Sequence, residues 1–319
     1  MALLEVKGIS KKQNGQWIVK GISFTQEPLQ KIAIAGATGS GKTSVLKMIG
    51  GLLQPDEGEI RLDDRKVIGP NDQLIPGHKK IAYLSQYFEL RNNYRVHELL
   101  EMNNKIDEAI AEKIYSVCRI SHLLQRKTDA LSGGERQRIV LAGLLTTSPE
   151  LLLLDEPFSN LDMMHKKVIK SVIEDIGTQL RITCIMVSHD AADTLTWADR
   201  ILVMKDGLII QDGTPKEIYH QPVNEYAAGL FGAYNLLNDL AGNGTQVILR
   251  PEQFEITTQN KCLFSGVVKK KTFFGNHYMI DVAISTGLIQ VRLNDDTIQA
   301  GDNVYLNIKA ENKSLNGTD

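Results

Sequence analysis

The stretch "KIAIAGATGSGKTSVLKMIGGLL", residues 31–53, runs from a short apolar strand through a glycine-rich loop into helical spacing. A strand of this kind has to be buried in a sheet, and the helix after it has to pack back on that sheet, so the segment commits the chain to an α/β fold. The loop fits G-x-x-x-x-G-K-[S/T] between Gly36 and Thr43, in the strand-to-helix context that the motif requires. Its backbone amides, from Gly36, Ala37, Thr38, Gly39, Ser40 and Gly41 to the first helical residues Lys42, Thr43 and Ser44, can cradle phosphates. Lys42 can reach the β- and γ-phosphates, and the Thr43 hydroxyl can ligate Mg²⁺. The bland alternative is a plain glycine-rich turn. Average composition produces such a match by chance on the order of once per hundred chains of this length, and the strand–helix context lowers that further.

Two later segments read as strands of the same sheet. "ELLLLDEP" (150–157) and "ITCIMVSHD" (182–190) are continuous apolar runs, the pattern of parallel strands covered on both faces. The first ends in Asp155 and Glu156. Asp155 can hold Mg²⁺ opposite Thr43, and Glu156 can orient or deprotonate an attacking water. As helix N-cap acids these residues would be unremarkable, but a phosphate loop upstream favours the chemical reading. His189 closes the second run one strand–helix unit later, so both strands can end at the same sheet edge, where ligands bind. There it can donate to a γ-phosphate. Gln86 follows the short strand in "IAYLSQYF". Elsewhere, "LLEVKGIS" and "WIVKGISFT" alternate as half-buried strands, and Leu99, Leu100, Ile106, Ile110, Ile114 and Val117 keep near-helical spacing between about 96 and 128. "RILVMKDGLIIQDG" is a hairpin about Lys205-Asp206-Gly207.

A second glycine-rich helix start occurs at "DALSGGERQRIV", 129–140, where Leu131, Ser132, Gly133, Gly134 and Glu135 precede an amphipathic helix. A Ser and two Gly opening a helix leave N–H groups free for an anion. One nucleotide does not need two such loops in one chain. From about Gln246 the texture becomes closely spaced strands with no helix between them, which suggests a small β-barrel.

With 319 residues, 42% of them hydrophobic and 23% charged, the chain can fill one large and one small domain. A formal charge of −2 argues against a protein built to coat nucleic acid. Cys118, Cys184 and Cys262 are far apart, which indicates neither a disulfide framework nor a zinc site. No apolar run reaches the ~18 residues of a membrane helix, and Glu5 and Lys7 stand where a signal peptide would be apolar. A soluble cytoplasmic chain is expected, with disorder confined to the tail "ENKSLNGTD".

Taken in order, these segments resemble the ATP-binding subunits of ABC transporters over nearly the whole chain. "GATGSGKT" is similar to the Walker A loop, "LSGGE" to the family signature, and "LLLLDEP" to Walker B. "SNLD" at 159–162 resembles the D-loop, Gln86 the Q-loop glutamine and His189 the switch histidine. The signature is the most specific of these, since most other P-loop NTPases lack it. The tail, from "VILRPEQFEI" to "NVYLNIK", resembles the OB-like TOBE domain of importer subunits for ferric iron, polyamines, sulfate, molybdate and sugars. Its compactness weakly disfavours a sugar importer.

The resemblance implies an ATPase, with ATP and Mg²⁺ as its cofactors. Glu156 would be the general base, with Gln86 and His189 beside it; Thr43, Gln86 and Asp155 would surround Mg²⁺. It also implies that two copies meet head to tail, so that Ser132, Gly133, Gly134, Glu135 and Asp162 of one complete the site of the other. That would explain two glycine loops. The implied partners are a second copy, membrane permease subunits contacted around Gln86, Tyr87 and Phe88, and indirectly a separate substrate-binding protein, with no nucleic acid. The implied location is the cytoplasmic face of the cell membrane, as a peripheral subunit.

The implied architecture is a P-loop domain over 1–235 with a helical insertion at about 90–130, an OB-like regulatory domain over 236–312 and a flexible 313–319. Three departures stand out: Gln13 falls where the family has a ring stacked on adenine, with Trp17 the nearest aromatic; the signature ends in Glu135 instead of Gln; and Gly143 replaces a usual Arg. The rival reading is a soluble ATPase switch of the same type acting on nucleic acid or ribosomes. An OB-like barrel carrying "KKKTFF" could bind single strands, but residues 246–309 hold seven basic against six acidic side chains, which is no electrostatic funnel.

Overall fold

The computed structural model describes residues 2–87, 90–102, 104–159, 161–238 and 246–309. Phe88, Asn160 and the tail 310–319 lie outside these residues. The contacts within the chain divide it into Met1–Pro215 and Lys216–Asp319.

The first unit opens with β1 (Leu4–Gln13) and β2 (Gln16–Gln26), followed by β3 (Lys31–Ala35) and α1 (Lys42–Ile49). β4 (Glu57–Leu62), the short β5 (Arg65–Lys66) and β6 (Ile81–Leu84) come next. The helical insertion holds α2 (Val96–Glu101) and α3 (Glu108–Val117), and α4 (Gly133–Leu145) returns to the sheet. Then come β7 (Leu151–Asp155), α5 (Met163–Gln179), β8 (Thr183–Ser188) and α6 (Ala191–Trp197), closed by the hairpin β9 (Arg200–Lys205) and β10 (Leu208–Gly213). An antiparallel sheet in the order β2-β1-β4-β5 stands beside a six-stranded sheet in the order β10-β9-β3-β8-β7-β6, parallel except at β10.

The apolar runs behave as doubly covered strands should. Successive side chains of β7 and β8 alternate between two cores. Leu152, Leu154, Cys184 and Met186 enter the core shared with the insertion and α4–α5. Leu151, Leu153, Ile185 and Val187 enter the core shared with α1 and the antiparallel sheet. In the insertion Leu100, Ile114 and Val117 are buried as expected, whereas Ile110 lies on the outer face of α3, 49% exposed.

Register then fixes the site. Ala35 pairs with Ser188, Asp155 with Val187 and Leu84 with Leu154. The strands therefore end level, and the loops carrying Gly36, Glu156, His189 and Gln86 leave from one edge.

The second unit holds the short helices α7 (Pro215–His220) and α8 (Glu225–Leu230) and the antiparallel pair β11 (Asn235–Asn238) and β12 (Gln246–Leu249). "VILRPEQFEI" is interrupted at Pro251, so β13 (Phe254–Ile256) is a separate strand. With β14 (Phe264–Phe273), β15 (Tyr278–Ile284), β16 (Gly287–Leu293) and β17 (Asn303–Ile308) it forms an antiparallel sheet in the order β13-β17-β14-β15-β16. This sheet curls into an OB-like half-barrel around Phe254, Val268, Ile280, Val291 and Leu306.

The break between units falls ahead of the boundary expected at 235/236, and Arg250 supplies the reason. Its guanidinium is buried, with Nε donating to Tyr219 O at 3.0 Å and Nη1 to Ala228 O at 2.9 Å and Ala233 O at 3.1 Å, over the Tyr219 ring. One residue of the β-rich part thus satisfies the carbonyl ends of both helices, and α7 and α8 belong with it. We therefore expect a chain ending at Pro215 to unfold in one cooperative transition and to bind nucleotide. A chain ending at residue 238 leaves those carbonyls and β11 unpartnered, and it should show an earlier thermal transition and dye-accessible apolar surface. Equal melts for the two truncations would contradict this division.

Candidate active site

The phosphate loop is shaped by backbone constraints. Gly41, the residue before α1, has φ of 99°, and a Cβ there would stand 2.5 Å from Ile18 O, so only glycine fits. Lys42 is buried at the start of α1, its Nζ donating to Gly36 O at 2.7 Å and Ala37 O at 2.8 Å. Burial lowers its pKa, and the nearby Glu156 and Asp155 carboxylates oppose that shift. The ammonium is thus folded onto the loop that would hold the phosphates.

Thr43 follows on the same turn, with Oγ1 donating to Asp155 Oδ1 at 3.1 Å. Asp155 is buried at the end of β7, and its other oxygen accepts from Tyr83 Oη at 2.8 Å. Burial, and then Asp155, push the Tyr83 phenol far up, so it stays a donor. An oxygen pair of hydroxyl and carboxylate, oriented from behind, suits a hard cation that keeps waters and phosphate oxygens as its other ligands.

Glu156 occupies the turn after β7 with φ of 49°, left-handed for a residue with a side chain. Its N–H donates to Val187 O at 3.0 Å, which holds the turn against β8. Such backbone costs about 1–3 kcal/mol and persists only where its surroundings enforce it. The carboxylate Oε2 accepts from Gln86 Nε2 at 3.4 Å and meets His189 Nδ1 at 3.1 Å. Gln86 and Glu156 line two adjoining cavities. One, of 410 Å³, is walled by Thr38, Gly39, Gly41, Lys42, Thr43 and Ser44; the other, of 310 Å³, contains His189 and Ser159. Gln86, Glu156, His189, Thr43 and Asp155 therefore converge as a set, from four strand ends.

The second glycine loop is elsewhere. Ser132 caps α4, its Oγ accepting from Glu135 N at 3.3 Å while Glu135 Oε2 accepts from Ser132 N at 2.8 Å. Burial would raise the Glu135 carboxyl, but the Ser132 bonds and Arg126 outweigh it and hold the pKa low. Asp162 caps α5, accepting from His165 N at 2.9 Å and pairing with His165 Nδ1 at 2.7 Å, which keeps its carboxyl below the usual range. The His165 ring lies so close to Gly134 that a Cβ there would stand 2.5 Å from Cδ2. His165 thereby ties the Asp162 turn to the signature helix. None of Ser132, Gly133, Gly134, Glu135 and Asp162 lines the 410 Å³ cavity of its own chain.

Tyr83 and His165 are site residues that the sequence reading did not single out. A hydroxyl-bearing ring in a strand three residues before Gln86, and a His three residues after an N-cap Asp, were the available signals. A Cβ at Gly143 would stand 3.6 Å from Leu100 Cδ2 of α2, an ordinary contact. Nothing in the structure says why an Arg would be usual there.

Gln13 and Ile18 also line the 410 Å³ cavity, and no aromatic side chain is among its lining residues. Trp17, 37% exposed, does not line that cavity. The Trp17 ring is covered by Lys12 Nζ at 4.3 Å from its centroid. With no ring to stack on, ATP and GTP affinities are expected to agree within a few-fold, and Gln13→Tyr should favour ATP by part of the ~1–3 kcal/mol that base stacking contributes. Fluorescent-nucleotide competition checks this. A strong ATP preference lost in Trp17→Ala would place Trp17 on the base instead.

Residues 19–159 match the ABC transporter family and residues 247–314 the TOBE domain. A spermidine/putrescine import ATP-binding protein, PotA of Clostridium acetobutylicum, is 31% identical, covering 96% of this chain and 94% of its own. An Fe(3+) ions import ATP-binding protein, FbpC 3 of Rhodococcus jostii, is 35% identical over 89% of this chain and 88% of its own. Among solved structures, cbiO1 of Clostridium perfringens, part of the ABC transporter complex cbiONQ, superposes with a TM-score of 0.59 at 26% identity, covering 68% of this chain and 90% of that one. With import ATP-binding relatives more than 30% identical over most of its length, and with the two domain matches beside them, the chain belongs to the ABC transporter family as an ATPase subunit.

Proposed function

We propose that this chain powers uptake through an ABC importer by binding and hydrolysing ATP between two head-to-tail copies. The observation that carries the proposal is the separation of the two glycine loops: the Walker A cavity is lined by Lys42, Thr43, Gln86 and Glu156, and neither Ser132 nor Gly134 lines it. A second copy is the natural owner of the nucleotide that this helix start would grip. Thr43 and Asp155 would hold Mg²⁺, which when bound would supply charge neutralisation at the phosphates. Lys42 would leave its loop carbonyls for the γ-phosphate. Glu156 would take the proton of the attacking water, with Gln86 and His189 fixing its orientation.

The relatives are named for import of spermidine/putrescine and of Fe(3+) ions, and for this chain the solute would be chosen by the permease and a separate binding protein. No helix among the described residues is long and apolar enough to cross a membrane, in keeping with a peripheral subunit on the cytoplasmic face. Tyr87, 80% exposed beside Gln86, would meet the permease. Affinity capture of the Glu156→Gln protein from detergent-solubilised membranes is expected to recover a polytopic permease. Recovery of ribosomes or RNA instead would favour the soluble-switch reading.

A further inference from the structure

We infer that the cavity between β5 and the loop before β6 is a second anion site, built for a phosphate-bearing ligand. At 740 Å³ it is larger than either cavity at the nucleotide site and falls within the size range of small-ligand pockets. It lies at the opposite end of the sheet: Lys79 and Lys80 precede β6, whose far end leads to Gln86.

Arg65, Lys66, Lys79 and Lys105 line it, and none of the four has an ion-pair partner among the described residues. Lys80 is paired with Glu150, and Asp63 is the one carboxylate on the wall. Exposed lysines are ordinarily just solvated. Here, in a chain of net charge −2, four unpaired cations surround one concavity, and a bound anion would relieve their mutual repulsion. Leu62 and Ile75 add apolar wall suited to the organic part of a phosphate ester. The wall is anchored, since Gly77 N and His78 N donate to Gly51 O and Gly50 O at 3.1 Å, directly after α1.

Titration calorimetry of the full chain with inorganic tripolyphosphate tests this. Two sites are expected in the parent, one at the phosphate loop and one here. Lys42→Ala should keep this site, whereas Lys66→Glu with Lys79→Glu should weaken it at least about tenfold. A control, Lys269→Glu with Lys270→Glu on the second unit, should leave it intact, and thermal melts confirm that all variants fold. A single site abolished by Lys42→Ala, unchanged binding in the Lys66/Lys79 variant, or equal loss in the control overturns the inference. Retention of both sites in Lys42→Ala would instead count against the proposed nucleotide site. Sedimentation with phosphatidylglycerol vesicles, competed by tripolyphosphate, would identify a lipid headgroup as the source of the phosphate. Tripolyphosphate binding without sedimentation identifies a free ester.

Discussion

Replacing Glu156 by Gln is expected to lower ATP turnover on the order of 10²- to 10⁴-fold, the usual contribution of a positioned general base, while ATP affinity stays within about twofold. The amide keeps the shape of the carboxylate and its place between Gln86 and His189, but it cannot accept a proton from water. The left-handed turn at Glu156 is held through its backbone N–H to Val187 O, so the substitution leaves the turn in place. Single-turnover hydrolysis beside a nucleotide titration separates the two effects. Parent-like turnover would mean that the base lies elsewhere. Lost binding would mean that Glu156 shapes the cavity more than it performs chemistry.

Adding Ser132→Arg to the Glu156→Gln protein is expected to abolish the dimer that ATP with Mg²⁺ induces, without changing ATP binding by the monomer. The first half follows from the proposed joint, in which the Ser132 hydroxyl and the N–H groups of Gly133 and Gly134 would close on the partner's γ-phosphate. An Arg there places a bulky cation in a closely packed contact. The second half follows from geometry, because Ser132 does not line its own chain's cavity. The substitution also removes a helix cap, which costs about 0.5–2 kcal/mol. Ser132→Ala loses the same cap without the bulk, so it controls for stability and should still dimerise, more weakly. Light scattering after size exclusion reads assembly with ATP and with ADP. If the Arg variant dimerises like its parent, the shared-site reading fails. If Arg and Ala melt alike and neither alters assembly, LSGGE is a helix cap and nothing more.

Much of this site was legible in the chain because its parts are local. "GATGSGKT" has to be a strand–loop–helix: a Cβ at position 41 would strike Ile18 O, and the apolar run before the loop has no stable place outside a sheet. "LLLLD" and "TCIMVS" announced doubly covered strands, and alternation sent their side chains into two cores. The capping box at Ser132 and Glu135 is written within four residues. Where the chain was misleading, the cause was periodicity without a partner. Ile110 fits a helical stripe yet lies outward, and Pro251 broke a run that alternates well enough for one strand.

Tertiary structure decided what depends on register and on contacts between distant segments. That Asp155 and Ser188 end level, so that Glu156, Gln86 and His189 meet, is a property of strand pairing between distant segments, as of Ala35 with Ser188. Tyr83 became part of the site only because β6 lies beside β7, and His165 only because the start of α5 packs on α4. That Gln13 and Ile18 line the phosphate-loop cavity while Trp17 does not followed from how the ends of β1 and β2 lie against the loop. Arg250 joined α7 and α8 to the β-rich unit because a buried guanidinium needs several acceptors at once, and the carbonyl ends of those helices supply them. Sequence alone determined the chemistry available, since residue types and local backbone preferences suffice for that. Which groups share a site was settled by the sheet, because long-range pairing is the one constraint that no window of sequence contains.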